Sequence, residues 1–312
     1  MRVTVPSFAK LNLDLRVLSK RADGYHDLRT VFQTISLKDS LRIDFDWAKR
    51  TQIELDSSIE IADNLVVLAA KLVLEHLKVK AHARFALTKH IPMGAGLGGG
   101  SSNAAAVLMA LPALAGKPIP FAKLAALAES LGSDVPFFLH GGTALGLGRG
   151  TELYPLADLA QHHALVVSTG VHVSTAEAYK ALGRTVTNAL TSAQESPILR
   201  EFQGIVWSLS SAALEQLPLK NDFEPAVFQI HPELAAVVRK LRRLGAKPAM
   251  MTGSGSAVFG IFGSEAEARQ AAGAFRAGRT YPVRFVSRRQ YRALWRRALG
   301  TAASASCFGS FS

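Results

Sequence analysis

The chain has 312 residues and a single cysteine, Cys307, so no internal disulfide can staple it. A reducing, cytoplasmic setting is expected, and the opening MRVTVPSFAK lacks the apolar core of a secretory signal. No uncharged apolar run reaches the about 18 residues of a membrane span, so no membrane association is expected. Nine histidines include no HExxH pair. Protein-bound zinc is therefore not expected, and the ligands of any metal stay unknown. A P-loop is missing too: the sole Gly-Lys pair, Gly116-Lys117, runs into Pro118. Acidic residues are absent from Arg276 onward, where eight arginines fall; of the formal +12, about +4 is left to the first 275 residues. A solvated terminal helix accounts for that run. The other reading is an anion-attracting surface, but no RNA- or DNA-binding motif accompanies it, and nucleic acid is not an expected partner.

At 48% hydrophobic and 19% charged, the chain can build a sizeable core in one large or two ordinary domains. Its most informative segment is Pro92–Asn103, PMGAGLGGGSSN. Gly94, Gly96, Gly98, Gly99 and Gly100 strip away the side chains that keep a backbone from a bulky anion. Ser101, Ser102 and Asn103 then open AAAVLMAL, a run of high helix propensity. Unpaired N–H groups and the positive dipole end of such a helix favour phosphate, so the segment reads as a nucleotide cradle. The embedded G-x-G-x-x-G does not make a dinucleotide fold, since no acidic residue follows about 20 positions later. The two serines either cap the helix or reach a phosphate or its Mg²⁺.

Residues 9–18 alternate strictly: Leu11, Leu13, Leu15 and Val17 on one face, Lys10, Asn12, Asp14 and Arg16 on the other. This predicts a half-buried strand with a polar outer face. Further strands are expected in LRTVFQTISL, SLRIDFDW, TQIELD and HARFALTKHIP, and helices over 64–77 and 121–130, the latter ended by Gly132. Near Ala157 the pattern restarts. Setting extra helices aside, the second half reads β-α-β-β-α-β, a ferredoxin-like order. The expected division is 1–157, 158–290, and a basic, disordered tail over 291–312.

Other candidates have an ordinary reading beside the functional one. Asp134 is an N-cap carboxylate ahead of Pro136 or a catalytic group. Lys10 and Asn12 lie on a solvated strand face or point into a common cleft. Gly253-Ser254-Gly255 is a hairpin turn or a substrate contact. Tyr25, after Gly24, is a strand aromatic or a stacking platform.

Read together, AKLNLDLRVLSKRADGYHDLRTVFQTISLKDSL, IPMGAGLGGGSSNAAAVLMAL, LGSDVPFFLHGGTALGLGRG, NDFEP and MTGSGSAVFGIF resemble the GHMP kinase superfamily, in order and spacing, over roughly residues 5–265. RADGYH and DVPFF narrow the resemblance to its branch acting on a cytidine diphosphate derivative, in non-mevalonate isoprenoid precursor synthesis. The resemblance implies an α+β, two-domain fold: an N-terminal ribosomal-protein-S5-like domain and a C-terminal ferredoxin-like domain with extra helices. It implies ATP with Mg²⁺, the phosphates being held by Pro92, Met93, Gly94, Ala95, Gly96, Leu97, Gly98, Gly99, Gly100, Ser101 and Ser102. Lys10 and Asp134 match its catalytic pair. Asn12, Tyr25, His26, Tyr179 and Gly253, Ser254 and Gly255 match substrate-binding positions, the tyrosines sandwiching a cytosine. The alternatives are a GHMP kinase of homoserine or mevalonate type, or an RNA-binding protein. A monomer or homodimer is expected.

Overall fold

The computed structural model describes residues 1–57, 64–159, 161–183, 192–209, 211 and 213–305. Two long strands dominate its first half, β1 (Arg2–Lys20) and β2 (His26–Trp47), paired antiparallel along their length. The other edge of β2 is shared. Its C-terminal half pairs with β4 (Ala81–Thr88), which pairs parallel with β3 (Gln52–Ser57). Its N-terminal half pairs with β5 (Thr143–Gly148), followed outward by β6 (Glu152–Pro155). One face of this sheet is covered by α1 (Leu65–Leu77), α2 (Gly99–Leu114), α3 (Phe121–Leu131) and the short α4 (Phe137–His140). α1 begins where the Asn64 side chain accepts the Val66 N–H at 3.0 Å, an N-cap in the usual sense. α2 is buried on nearly every side, which its all-round apolar AAAVLMAL permits.

The second half builds a four-stranded antiparallel sheet in the order β10 (Arg279–Arg284), β7 (His163–Ser168), β9 (Val258–Phe262), β8 (Ala249–Met251). That is the ferredoxin-like arrangement read from the sequence. Among the described residues four α-helices lie between β7 and β8, α5 (Thr175–Leu182), α6 (Ser192–Ser208), α7 (Glu224–Ile230) and α8 (Pro232–Arg243), three more than the ferredoxin-like order needs; α9 (Glu265–Gly273) joins β9 to β10. The sheets meet through a shared core. Leu11, Leu13, Val31 and Ile35 from the first half pack with Ala164, Val166, Phe259 and Ile261 from the second.

Two expectations are overturned. The polar face of residues 9–18 is not solvated: Lys10, Asn12, Asp14 and Arg16 are all buried. Arg16 forks onto Asp14 at 2.7 and 3.0 Å and reaches Glu201 of α6 at 3.1 Å, so a β1 ion pair is closed over by the second half. Burial pushes the Asp14 carboxyl up to about 7 against the pull of Arg16. Secondly, residues 291–299 are not a tail. α10 (Arg288–Leu299) opens on a capping box between Ser287 and Gln290 and lays Tyr291, Trp295 and Leu299 into the first core. Those three recur every fourth residue, so one apolar stripe holds the helix while exposed arginines line its other side. Residues 306–312 of the expected disordered tail lie outside the described residues.

α10 also sets an acid sensitivity. Burial, reinforced by the Arg288 and Arg292 charges, pulls His140 down to about 4. An unfolded chain takes up this proton near its ordinary ~6.5, before the folded chain does. The contribution is therefore present above ~6.5 and is lost as pH falls towards 4, amounting to at most about 3 kcal/mol. In urea titrations from pH 7.5 down to 4.5, the wild type should lose stability relative to His140→Gln; parallel losses would contradict this. At pH 7.5, Trp295→Ala should cost about 3–5 kcal/mol. The exposed Arg289→Ala should stay within about 0.5 kcal/mol.

Candidate active site

The glycine-rich segment leaves β4, crosses the middle of β1 at Lys10 and enters α2. Its entry is pinned by the buried Asp39, which accepts the His90 and Ile91 N–H groups at 2.7 and 2.9 Å and pairs with Lys89. α2 starts earlier than the serines suggest. Gly98 is the N-cap, in the left-handed region at φ +70°, and its carbonyl accepts the Ser102 N–H at 2.9 Å. Ser101 and Ser102 therefore do not cap; they lie within the first turn. The Gly99, Gly100 and Ser101 N–H groups, in the first turn, have no intrahelical partner. Two of the glycines are required by neighbours. A Cβ on Gly96 would lie 2.3 Å from the Thr252 carbonyl oxygen, and one on Gly98 would lie 2.8 Å from the Phe138 ring.

Lys10 and Asp134, 124 positions apart, converge here. The Lys10 Nζ lies 3.4 Å from Asp134 Oδ2 and donates to Asn12 Oδ1 at 2.6 Å. Its main-chain N–H donates to Leu97 O of the glycine segment at 3.0 Å. Lys10 is 3% exposed and Asp134 34%, so a buried cation faces a carboxylate open to the cleft. Asp134 does not cap α4, whose N-cap position is Pro136 without a side-chain bond. Asn12 is held by two hydroxyls: its N–H donates to Thr252 Oγ1 at 2.9 Å, its Nδ2 to Thr30 Oγ1 at 2.8 Å.

A cavity of about 830 Å³ runs from this pair across the junction of the two halves. Lys10, Asn12, Gly94, Gly96, Ser101 and Asp134 line it together with Tyr25, His26 and Tyr179 and with Gly253, Ser254 and Gly255. A second cavity, about 320 Å³, takes in the remaining glycine-segment residues from Pro92 to Gly100 together with Asn64 and Lys89. Ser101 borders both. Ser102 is buried and lines neither. The two tyrosines do not face one another across an open slot. Tyr179 stacks on His26, with centroids 4.3 Å apart and planes at 19°, while Tyr25 is half exposed beneath the Arg149 guanidinium, 3.5 Å from its centroid. Burial, with the Asp134 charge, raises the Tyr179 hydroxyl above its usual range and keeps it neutral.

Sequence reasoning passed over Thr30, Arg149, His172 and Thr252, all near or lining the main cavity. Arg149 carried a signal: it sits between Gly148 and Gly150, both at positive φ, which is a turn built to present one side chain. The threonines carried none, being ordinary strand and turn residues. NDFEP is structural. Asn221 Nδ2 donates to the Met251 and Gly253 carbonyls at 2.9 and 2.8 Å, Asp222 Oδ2 accepts the Val17 N–H, and Glu224 Oε1 accepts the Met251 N–H. The segment ties the 252–256 turn to β1. Among the described residues no three His, Cys, Asp or Glu side chains group as a metal site, and no helix is long and apolar enough to cross a membrane.

Comparison with known proteins adds a second line. Residues 64–142 match the GHMP kinases N terminal domain and residues 206–278 the GHMP kinases C terminal region. A 4-diphosphocytidyl-2-C-methyl-D-erythritol kinase of Solibacter usitatus is 51% identical over 94% of this chain and 92% of its own length. One of Shewanella piezotolerans is 40% identical over 85% and 87%. A crystal structure of 4-(cytidine 5'-diphospho)-2C-methyl-D-erythritol kinase superposes with a TM-score of 0.75 at 36% identity, covering 90% of this chain and 98% of that one. Homoserine kinase from Cytophaga hutchinsonii, at 19% identity and a TM-score of 0.68, covering 90% and 95%, shares the fold.

The geometry makes the glycines separable. Gly96→Ala puts a methyl against a main-chain oxygen at φ +73° and should cost at least about 2 kcal/mol in urea unfolding. Gly100→Ala meets only Leu65 at 3.7 Å and should be neutral or stabilising by up to about 1 kcal/mol. Equal effects would remove the close packing of segment on turn.

Proposed function

The chain belongs to the 4-diphosphocytidyl-2-C-methyl-D-erythritol kinases of the GHMP kinase family, and from that premise we propose how its cleft moves the γ-phosphoryl group of ATP to the 2-hydroxyl of 4-diphosphocytidyl-2-C-methyl-D-erythritol. This step serves non-mevalonate isoprenoid precursor synthesis, in the cytoplasm. The observation that carries the mechanism is the Lys10–Asp134 pair beside the glycine segment, lining one cavity with it.

The chain's part in phosphoryl transfer is placement and charge. The bare main chain ahead of α2 and its free N–H groups receive the β- and γ-phosphates. Lys10 has three N–H donors. One goes to Asn12 and one points at Asp134, which leaves the third for a γ-phosphoryl oxygen. Asp134 accepts the proton of the attacking alcohol. A carboxylate is a weak base, so it orients the hydroxyl first and takes the proton late. Tyr25, His26 and Tyr179 offer aromatic faces to the cytosine.

Mg²⁺ carried with ATP fits this donor set sparingly. Magnesium takes oxygen ligands and keeps several waters, and the phosphates supply most of them. Among the residues lining the two cavities Asp134 is the one carboxylate, and Ser101 is the hydroxyl shared by both, so these two would hold the ion. When bound, it neutralises charge on the phosphates.

An ADP-release assay tests the assignment. Asp134→Asn should lower kcat by ~10²–10⁴. Tyr25→Ala should raise KM for the cytidine substrate by the roughly 5- to 150-fold that a stacking loss of about 1–3 kcal/mol represents. Full turnover by the asparagine variant would remove the proposed base, and an unmoved KM would remove the stacking role of Tyr25.

A further inference from the structure

We infer that Thr30 is a positioning residue for phosphoryl transfer, acting on Lys10 through the side-chain amide of Asn12; the inference rests on the kinase reading above. Thr30 lies on β2, is 1% exposed, and makes two hydrogen bonds through its hydroxyl. Its Oγ1 donates to the main-chain oxygen of Asp14 at 2.7 Å and accepts from Asn12 Nδ2 at 2.8 Å. A hydroxyl has one proton. Since that proton is committed to a carbonyl, Thr30 can meet Asn12 only as an acceptor, and it selects the NH₂ end of the amide. The oxygen end is thereby turned to Lys10 Nζ, 2.6 Å away.

The reverse orientation would set an NH₂ group against an ammonium, two donors with no acceptor between them. Lys10 would lose one of its two side-chain anchors and keep Asp134 alone. Thr252 cannot make this choice. Its hydroxyl accepts the Asn12 main-chain N–H at 2.9 Å and lies 3.4 Å from Asn12 Oδ1, and its proton is free to turn away if the amide reverses. The carbonyl on which Thr30 depends is itself immobilised. Asp14 is gripped by Arg16 and accepts the Lys220 N–H at 2.9 Å, so the relay starts at the buried ion cluster between the halves and ends at the reacting phosphoryl group.

Thr30→Val removes the hydroxyl at nearly constant volume, and Thr30→Ser restores it. In steady-state assays of the full chain, Thr30→Val should lower kcat about ten- to a hundredfold while both KM values stay within about twofold, and Thr30→Ser should recover most of the loss. In an Asn12→Ala background, Thr30→Val should add nothing, because the group through which it acts is gone. Unchanged kcat, or the same proportional loss in both backgrounds, would overturn the inference. A readout without turnover accompanies these. The Asn12 side-chain amide signals in NMR should shift and lose exchange protection in Thr30→Val but not in Thr30→Ser, and an undisturbed amide in the valine variant would overturn the relay whatever the activity. A wild-type enzyme inactive on the cytidine substrate would instead sink the kinase reading, while the amide signals would still judge the relay.

Discussion

Among the described residues no strand lies beside the outer edge of β1, and the arrangement of the cleft follows from how that edge is satisfied. A buried edge N–H must find an acceptor. Here Lys10 donates to Leu97 of the glycine segment, Asn12 to the Thr252 hydroxyl, Leu15 to the Lys220 carbonyl and Val17 to Asp222. Four acceptors from three distant stretches thus dock on one strand. Between the first two donors stand the side chains of Lys10 and Asn12. The glycine segment, the Lys10–Asp134 pair and the turn from the second half are therefore located relative to one another by a single rigid element. Sites built on strands keep their geometry better than sites built on loops.

That edge also explains what could be read from the sequence and what could not. Alternation in residues 9–18 gives the two faces of a strand correctly, because side-chain direction is a local property of extended backbone. It does not say what lies over each face. Lys10, Asn12, Asp14 and Arg16 look like a solvated row until Glu201 and Lys220, about 200 positions away, close over half of it. The glycine segment is legible for the opposite reason: five glycines in seven residues are costly unless something must come close to the main chain. At Gly96 and Gly98 part of that demand is internal, from Thr252 and Phe138 rather than from a ligand. The arginine-rich end misleads by composition. Charge count suggests a solvated helix, while Tyr291, Trp295 and Leu299 at four-residue spacing state where it packs. His26 against Tyr179 could not be foreseen, since the two belong to different halves and only the closed cleft brings them together.

The cleft has to hold a triphosphate beside a diphosphate, so its own negative charge must be scarce. Carboxylates are nevertheless abundant around it, and the structure disposes of them by turning them to main-chain N–H groups and to Arg16. Asp14 faces Arg16 and the Lys220 N–H, Asp222 accepts from Val17, Glu224 from Met251, and Asp39 from His90 and Ile91. Each supports the backbone around the site without projecting charge into it. Burial raises Asp14 and Glu224 above the ordinary carboxylate range, which makes the ionised form less favourable still in this part of the molecule. Asp134, the one carboxylate among the described lining residues, is held at 3.4 Å from the buried Lys10. A single carboxylate among cations and amides has no like-charged neighbour in the lining to compete with it. The selectivity of the site for one role per group is thus a consequence of where the other carboxylates are anchored.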